Sequence, residues 1–101
     1  MKKGRALIAF ACLVAALAPA RAQEGDIEAG ADVYEENCAT CHGEKLRATG
    51  AAPDLKQLGA DQRAKFESMV EQGKGQMPAW GGVISDDERA AIWAYIRSRA
   101  R

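Results

Sequence analysis

The sequence of 101 residues contains a single histidine, His42, and only three cysteines. One histidine excludes metal sites that need several imidazole ligands, and it leaves little for acid–base catalysis. The longest apolar run, Ala6 to Ala18, has 13 residues, and it is too short for a transmembrane helix, which needs about 20. The charges also balance, with 14 Lys and Arg against 14 Asp and Glu, so the chain lacks the basic excess typical of nucleic-acid-binding proteins.

The N-terminal 22 residues have the features of a secretory signal peptide. Three basic residues stand within the first five positions, the apolar run follows, and Ala20-Arg21-Ala22 matches an A-x-A cleavage pattern. We therefore predict a cleaved signal over residues 1–22, a periplasmic domain over residues 23–101, and no membrane insertion after cleavage. The alternative is a retained N-terminal anchor, which the short run disfavours. Cleavage removes Cys12 and leaves 10 basic and 14 acidic side chains.

The two remaining cysteines stand three apart in Cys38-Ala39-Thr40-Cys41-His42, the spacing used to attach a c-type haem. One helical turn would place both sulfurs on the same face, within reach of the two vinyl groups of a porphyrin. His42 would then supply the proximal axial ligand to the iron. We therefore predict haem c, attached covalently through Cys38 and Cys41. The alternatives are a disulfide, common in exported proteins, and a zinc site, which would lack a fourth Cys or His ligand.

The domain is predicted to be all-α, with three to four short helices around one covalently bound haem. A chain of this length buries only a thin core alone, and a porphyrin supplies a large apolar centre. Gly30 lies four residues before Tyr34 in the first helix, and it indicates close approach of another helix. The predicted helices run from Asp26 as N-cap to Thr40, from Gln62 to Gln72 with Asp61 as cap, and from the Ser85-Asp86-Asp87-Glu88 capping box to about Ser98.

Two methionines remain after signal cleavage as candidates for the sixth ligand of the iron. Met69 falls on the apolar stripe of the second helix, so we interpret it as a core residue. Met77 stands in a Gly/Pro-rich loop beside Pro78, where no helical period demands an apolar side chain. We therefore predict His42 and Met77 as the metal ligands, and an ordinary buried loop methionine is the alternative for Met77.

Residues 26–99 resemble a small class I (monohaem) cytochrome c of the bacterial type, similar to cytochrome c551, cytochrome c6 and the cytochrome domains of quinoprotein dehydrogenases. The motifs that carry the resemblance are Cys38-Ala39-Thr40-Cys41-His42-Gly43, the Gly30 and Tyr34 pair, Pro53-Asp54-Leu55, Gly75-Gln76-Met77-Pro78 and Ala94-Tyr95-Ile96. The resemblance implies that the first and last helices cross near Gly30, with Ile92 and Tyr95 packed there. It also implies that the Pro53 carbonyl accepts a hydrogen bond from His42 and raises its donor strength.

One feature of the family is missing from the sequence. Many members bond a haem propionate with a Trp or Tyr between the proline loop and the methionine loop, and this interval contains only Phe66. Trp80, Arg47 and Gln57 are the candidates to replace it, and the sequence does not choose among them.

The predicted function is one-electron transfer as a periplasmic carrier rather than an enzymatic activity, because a six-coordinate haem has no open position. One alternative is a five-coordinate haem that binds gas or reacts with peroxide. Another is a permanent cytochrome subunit of a dehydrogenase or oxidase. We expect a monomer whose partners are redox proteins (a dehydrogenase, reductase or oxidase), docking at an apolar surface that includes Ala51, Ala52 and Ala79. The six acids between residues 23 and 42 are interpreted as a solvated helix face.

Overall fold

The computed structural model describes residues 22–100, so the predicted signal peptide lies outside the described residues except for its last position, Ala22. The described chain is helical and contains no strand, which confirms the all-α prediction. Its helices are α1 (Ala22–Asn37), α2 (Ala39–His42), α3 (Arg63–Gln72) and α4 (Asp86–Ser98), with short 3₁₀ turns over Glu44–Leu46, Leu55–Gln57 and Ala60–Gln62. Within this part of the chain, no helix is long and apolar enough to cross a membrane.

The crossing of α1 and α4 at Gly30 forms the centre of the fold. A Cβ atom at Gly30 would lie 1.9 Å from the Ala91 carbonyl oxygen, so only glycine lets the two backbones approach this closely. Beside the crossing, the buried rings of Tyr34 and Tyr95 pack with centroids 5.5 Å apart. Ile92 is also buried there. The crossing predicted from Gly30 is therefore confirmed.

The helix α3 completes the core by packing on α4. Phe66 of α3 and Trp93 of α4 lie with their ring centroids 5.2 Å apart, and both rings are buried. The side chain of Arg97, in the last turn of α4, donates to the Leu58 carbonyl at 2.7 Å and so holds the segment before α3 against α4. The buried core draws on most of the described segments: Tyr34, Leu46, Phe66, Val70, Ile84, Ile92, Trp93, Tyr95 and Ile96.

The start of α4 is the capping box that the sequence predicted. The Ser85 hydroxyl accepts from the Glu88 amide at 3.1 Å, and the Glu88 carboxylate accepts from the Ser85 amide at 2.9 Å. These reciprocal bonds satisfy two donors that the first turn of a helix leaves unpaired.

The prediction for the first helix is wrong at both ends. α1 begins at Ala22, where Ala22, Gln23 and Glu24 favour helix although Gly25 does not, and Asp26 therefore lies inside α1 rather than capping it. At the other end, the chain bends at Cys38 (φ −110°, ψ −26°), so α1 stops at Asn37 and α2 begins at Ala39. The bend separates the helix that crosses α4 from the turn that carries Cys41 and His42.

The predicted cap of the second helix is also wrong. Asp61 lies in the 3₁₀ turn Ala60–Gln62, and Gln62 is the N-cap of α3. The Gln62 side-chain oxygen accepts from the Gly59 amide at 2.7 Å, so this residue stabilises the turn that precedes the helix.

Candidate cofactor site

All five residues that the sequence predicted for the site border one cavity. The cavity has a volume of about 610 Å³, and Cys38, Cys41, His42, Pro53 and Met77 lie on its wall. Most of the remaining wall is apolar and includes Leu55, Leu58, Phe66, Val70 and Ile92. This volume lies within the range of about 300 to 1,000 Å³ that proteins use for cofactors and small ligands.

The two cysteines stand on a single helical turn at the junction of α1 and α2. The amides of Cys41 and His42 both donate to the Cys38 carbonyl, at 3.2 and 2.9 Å. Cys38 is half-buried, Cys41 is exposed, and no disulfide joins them. This arrangement matches the one-turn spacing on which the haem prediction depended.

The thiols do not form a zinc site in this structure. Burial raises the pKa of the Cys38 thiol to about 11, and Cys41 adds to the effect. Between residues 22 and 100, no three His, Cys, Asp or Glu side chains are grouped to hold a metal ion.

His42 is held by the main chain of Pro53. Its Nδ1 lies 3.1 Å from the Pro53 carbonyl oxygen. Because a carbonyl only accepts, Nδ1 carries the proton and donates it, and the lone pair of Nε2 remains for a metal. A carbonyl partner of this kind fixes the orientation of the ring and raises the basicity of the ligating nitrogen.

The segment after His42 is fixed by contacts to α1. The Tyr34 hydroxyl donates to the Gly43 carbonyl at 2.6 Å, and the Glu35 carboxylate accepts from the Lys45 amide at 2.7 Å. Gly43 has φ +95°, and a Cβ atom there would lie 1.8 Å from the Arg47 carbonyl oxygen. A larger residue is therefore excluded at this bend, and the chain turns back towards α1 directly after His42.

The segment after Pro53 is organised by Asp54 and Lys56. The Asp54 carboxylate accepts from the Lys56 amide at 3.0 Å and pairs with the Lys56 ammonium at 3.2 Å. The same ammonium donates to the Leu46 carbonyl. Lys56 therefore connects the segment after Pro53 with the segment after His42.

Met77 is held by main-chain contacts. The amide of Lys74 donates to the Met77 carbonyl at 3.0 Å, and the amide of Met77 donates to the Lys74 carbonyl at 2.9 Å, which closes a turn through Gly75. A Cβ atom at Gly73, where φ is +76°, would lie 2.6 Å from the Met77 oxygen. The amide of Trp80 donates to the Val70 carbonyl at 2.8 Å, so the loop is tied to the end of α3.

Both methionines border the cavity, which corrects the interpretation of Met69 as a core residue. Met69 is half-buried, unlike Phe66 and Val70 on the same apolar stripe of α3, which are buried. Helical periodicity indicates an apolar face, but it does not distinguish a face that meets the core from one that borders a cavity. Two thioethers therefore lie on the cavity wall.

The polar part of the wall contains residues that sequence reasoning missed. Of the three candidates to replace the missing Trp or Tyr, Gln57 and Trp80 border the cavity, and Arg47 is not part of its wall. Asn37, Gln62, Lys65 and Lys74 also border the cavity and were not assigned to the site from the sequence, whereas Asp54 and Gln76 were quoted there only as parts of motifs. Helical spacing contained a signal for Lys65, since it lies four residues before Met69 and therefore on the same side of α3.

Of the predicted docking residues, Ala51 and Ala52 border the cavity.

The donor set and the wall fit a covalently attached haem. Two thiols on one helical turn suit two adjacent vinyl groups, and a neutral imidazole and a thioether suit the two axial positions of the iron. The apolar residues of the wall suit the faces of a porphyrin.

Comparisons with known proteins agree with this fit. A family model described as cytochrome c oxidase, cbb3-type, subunit III, matches residues 25–96. Cytochrome c6 of Euglena gracilis is 36% identical over 78 residues, which cover 70% of this chain and 90% of that protein. Cytochrome c-551 of Bacillus subtilis is 30% identical over 77 residues, which cover 75% of this chain and 66% of that protein.

A solved structure is similar over almost the whole chain. It belongs to a quinohemoprotein alcohol dehydrogenase of Pseudomonas putida HK5, with a TM-score of 0.69 and 26% identity. The match covers 99% of this chain and 14% of that one, so the similarity concerns a small part of a much larger protein.

Proposed function

Because this chain belongs to the cytochrome c family, as a small class I member with covalently bound haem c, we propose that Cys38 and Cys41 form its thioether bonds. We propose further that His42 and Met77 are the axial ligands of the iron. The observation that carries both proposals is the shared cavity, since all four side chains lie on its wall.

His42 is the ligand whose strength the protein sets most directly. The Pro53 carbonyl, 3.1 Å from Nδ1, keeps the proton on that nitrogen and leaves Nε2 to the iron. Partial withdrawal of the proton makes the imidazole a stronger donor, which favours the ferric state. Pro53 therefore lowers the reduction potential through His42.

Met77 would supply the second protein ligand of the iron. Its turn is held by two main-chain bonds to Lys74, so the thioether is presented by a fixed backbone. A soft thioether favours the ferrous state and raises the reduction potential. The two ligands act on the potential in opposite directions.

The protein is a monohaem electron carrier, as are its relatives named cytochrome c6 and cytochrome c-551. The bound haem supplies one-electron redox chemistry. The Pro53 carbonyl and the turn from Lys74 hold His42 and Met77 in place, and the apolar wall would limit the entry of water. One-electron transfer needs no general acid or base, and we propose that the chain is not itself an enzyme.

We propose that the carrier works in the periplasm as a monomer and docks briefly with a dehydrogenase, reductase or oxidase near Ala51 and Ala52. The family model named for an oxidase subunit and the similarity to part of a dehydrogenase support partners of these classes. N-terminal sequencing of the purified holoprotein tests the export step. A sequence that begins at Gln23 supports cleavage, and one that retains the first residues indicates an anchor instead.

Visible spectra of the holoprotein and of two methionine variants test the iron ligands. The oxidised protein should show a weak band at the red end of the spectrum from sulfur ligation. Met77→Ala should abolish this band, and Met69→Ala should retain it, although both residues border the same cavity. Loss of the band in Met69→Ala and its persistence in Met77→Ala would overturn the assignment.

Two further measurements separate the proposal from its alternatives. Cys38→Ser should keep the haem attached through Cys41 alone, so one vinyl group of the porphyrin stays unsaturated and the main visible band of the pyridine haemochrome should move to longer wavelength. An unchanged band position would contradict the role of Cys38. The visible spectrum of the reduced holoprotein should be the same before and directly after carbon monoxide is added. Ready binding of carbon monoxide would favour a five-coordinate, gas-binding haem.

A further inference from the structure

Lys56 is a lysine whose ammonium group is largely withdrawn from solvent. Its side chain is 15% exposed, although lysine is usually at the surface. The ammonium pairs with Asp54 at 3.2 Å, at a side chain that is 19% exposed, and also donates to the Leu46 carbonyl. Withdrawing a charge from water is costly unless it is paired and hydrogen-bonded, and both partners are present here.

The two partners of Lys56 belong to the two segments that meet at His42. Leu46 follows His42 by four residues and is anchored in the core, where it is 1% exposed. Asp54 follows Pro53 directly, and its carboxylate also accepts from the amide of Lys56 at 3.0 Å. The two segments are therefore connected twice: once by His42 Nδ1 and the Pro53 carbonyl, and once by the Lys56 ammonium and the Leu46 carbonyl.

We propose that Lys56 is a positioning residue that holds the Pro53 carbonyl against His42 and thereby sets the donor strength of the imidazole. The inference rests on the proposed function, because it takes His42 as the ligand of the iron. The ring and the carbonyl approach each other from segments that have no regular secondary structure in common. The Lys56 connection is anchored at its far end in the core, so it limits how far the Pro53 segment moves away from the ring.

Loss of the Lys56 ammonium has two effects on the reduction potential, and they have opposite signs. A looser Pro53 carbonyl weakens the bond from Nδ1, makes His42 a poorer donor and raises the potential. Loss of a positive charge near the iron stabilises the ferric state and lowers the potential. A neutral variant of a second cation, one that borders the cavity, is therefore needed as a control for charge alone.

Lys65 provides this control. It borders the same cavity, it is exposed, and it makes no ion pair with any residue that the structure describes. Lys65→Met should lower the potential through its charge and leave the His42 bond intact. Lys56→Met should give a higher potential than Lys65→Met, because the two effects oppose each other.

The decisive measurement is solvent exchange of the His42 Nδ1 proton in the ferrous holoprotein, followed by NMR. In Lys56→Met this proton should exchange roughly five- to tenfold faster, because the hydrogen bond that protects it is weakened by about the free energy of one hydrogen bond. Lys56→Arg, which keeps the positive charge, should exchange this proton as slowly as the wild type does. Lys65→Met should also have the exchange rate of the wild type. Equal exchange rates in Lys56→Met and the wild type would overturn the proposal, as would equal acceleration in both methionine variants.

A second variant keeps the proposal testable if Lys56→Met does not fold. Asp54→Asn retains an acceptor for the Lys56 amide and removes one charge of the pair. It should therefore accelerate exchange of the His42 Nδ1 proton, but less than Lys56→Met does. Unchanged exchange would count against the proposal. The porphyrin ring current on the His42 ring protons of the wild type tests the ligand assignment separately. Absence of that shift would refute the proposed function, whereas its presence with unchanged exchange would refute only the role of Lys56.

Discussion

The chain around His42 (residues 38–58, the His42 wall) and the chain around Met77 (residues 69–81, the Met77 wall) both contribute residues to the cavity, and they are held in place in different ways. On the His42 wall, main-chain bonds are local, and side chains connect its two segments, as His42 does by bonding to the Pro53 carbonyl and Lys56 by bonding to the Leu46 carbonyl. On the Met77 wall, main-chain groups bond to each other, as in the turn from Lys74 to Met77. Side-chain contacts can be removed singly without moving the backbone, whereas main-chain contacts fail together when the backbone cannot adopt its turn.

Gly30→Ala should have the largest effect, because it removes the support that both walls share. The new Cβ atom would lie 1.9 Å from a backbone oxygen of Ala91, and a helix backbone cannot yield as a side chain does. We expect a loss of about 3 kcal/mol or more in the free energy of unfolding, measured by denaturant titration. Ala29→Ser, at an exposed position on the same helix, is the control and should change stability by less than about 0.5 kcal/mol. Similar stability of the two variants would show that the crossing does not support the walls.

Gly73→Ala should disrupt the Met77 wall alone. The substitution forces a positive φ on a residue with a side chain and places its Cβ atom 2.6 Å from the Met77 oxygen. We expect a loss of about 2 to 3 kcal/mol and of the red band from sulfur ligation, with the covalent haem retained. Gly75→Ala is the matched control: it has φ +60° but open space around it, so it should cost only about 1 kcal/mol and keep the band. Equal losses in the two variants would contradict the main-chain account.

Tyr34→Phe should weaken the His42 wall without affecting the Met77 wall. The variant keeps the ring against Tyr95 and leaves the buried carbonyl of Gly43 without the Tyr34 hydroxyl. We expect a loss of about 1 to 3 kcal/mol in the free energy of unfolding and no change in the red band. Tyr95→Phe is the control, since its hydroxyl makes no hydrogen bond among the described residues. A Tyr34→Phe protein as stable as Tyr95→Phe would show that the contact to Gly43 contributes nothing.

The pH dependence of stability gives a second view of the Tyr34 contact. Burial raises the pKa of Tyr34 above its ordinary value of about 10, and the nearby Glu35 carboxylate adds to the rise. The unfolded state then releases the proton first, so the contribution to stability is full below about pH 10 and declines as the pH rises above it. The free energy of unfolding should fall less steeply with rising pH in Tyr34→Phe than in the wild type. The fall that remains in the variant should come from Tyr95, whose pKa burial also raises. Unfolding titrations at several alkaline pH values measure both slopes, and identical slopes would contradict the assignment.

Ser85→Ala should have the smallest effect, because it removes a single hydrogen bond at the start of α4 and Ser85 does not border the cavity. The variant removes the hydroxyl that accepts from the Glu88 amide, which costs about 1 kcal/mol at a helix N-cap. Visible spectra and the reduction potential should match those of the wild type. A shift in the red band would show that the start of α4 is coupled to the Met77 wall.

The parts of the molecule that the sequence predicted are those that depend on local chemistry. The capping box at Ser85 needs only residues three apart, and the glycine at Gly30 needs only an approaching helix. His42 and Met77 could be proposed because the chain offers so few alternatives. Their meeting in one cavity was not available from spacing alone.

The wrong predictions depend on how distant segments pack. The bend at Cys38 is not visible in a sequence whose helical propensity continues through it, so α1 was predicted to end at Thr40 rather than at Asn37. Met69 has the spacing of a core residue, but its side of α3 borders the cavity. Lys56 gave no signal, because its carbonyl partner at Leu46 is a main-chain group ten residues away and only the fold brings the two together.

The crossing of α1 and α4 also has a consequence for the order in which the molecule assembles. Gly30 and Ala91 lie near opposite ends of the described chain, so their contact closes a loop that contains every residue of the proposed site. Closing a loop of this length costs roughly 3 to 4 kcal/mol of chain entropy before the contacts on either side repay it. We therefore expect slower folding than in a helical protein built from local contacts alone. Until α4 has packed on α1, the loop that contains the thiols of Cys38 and Cys41 is not closed.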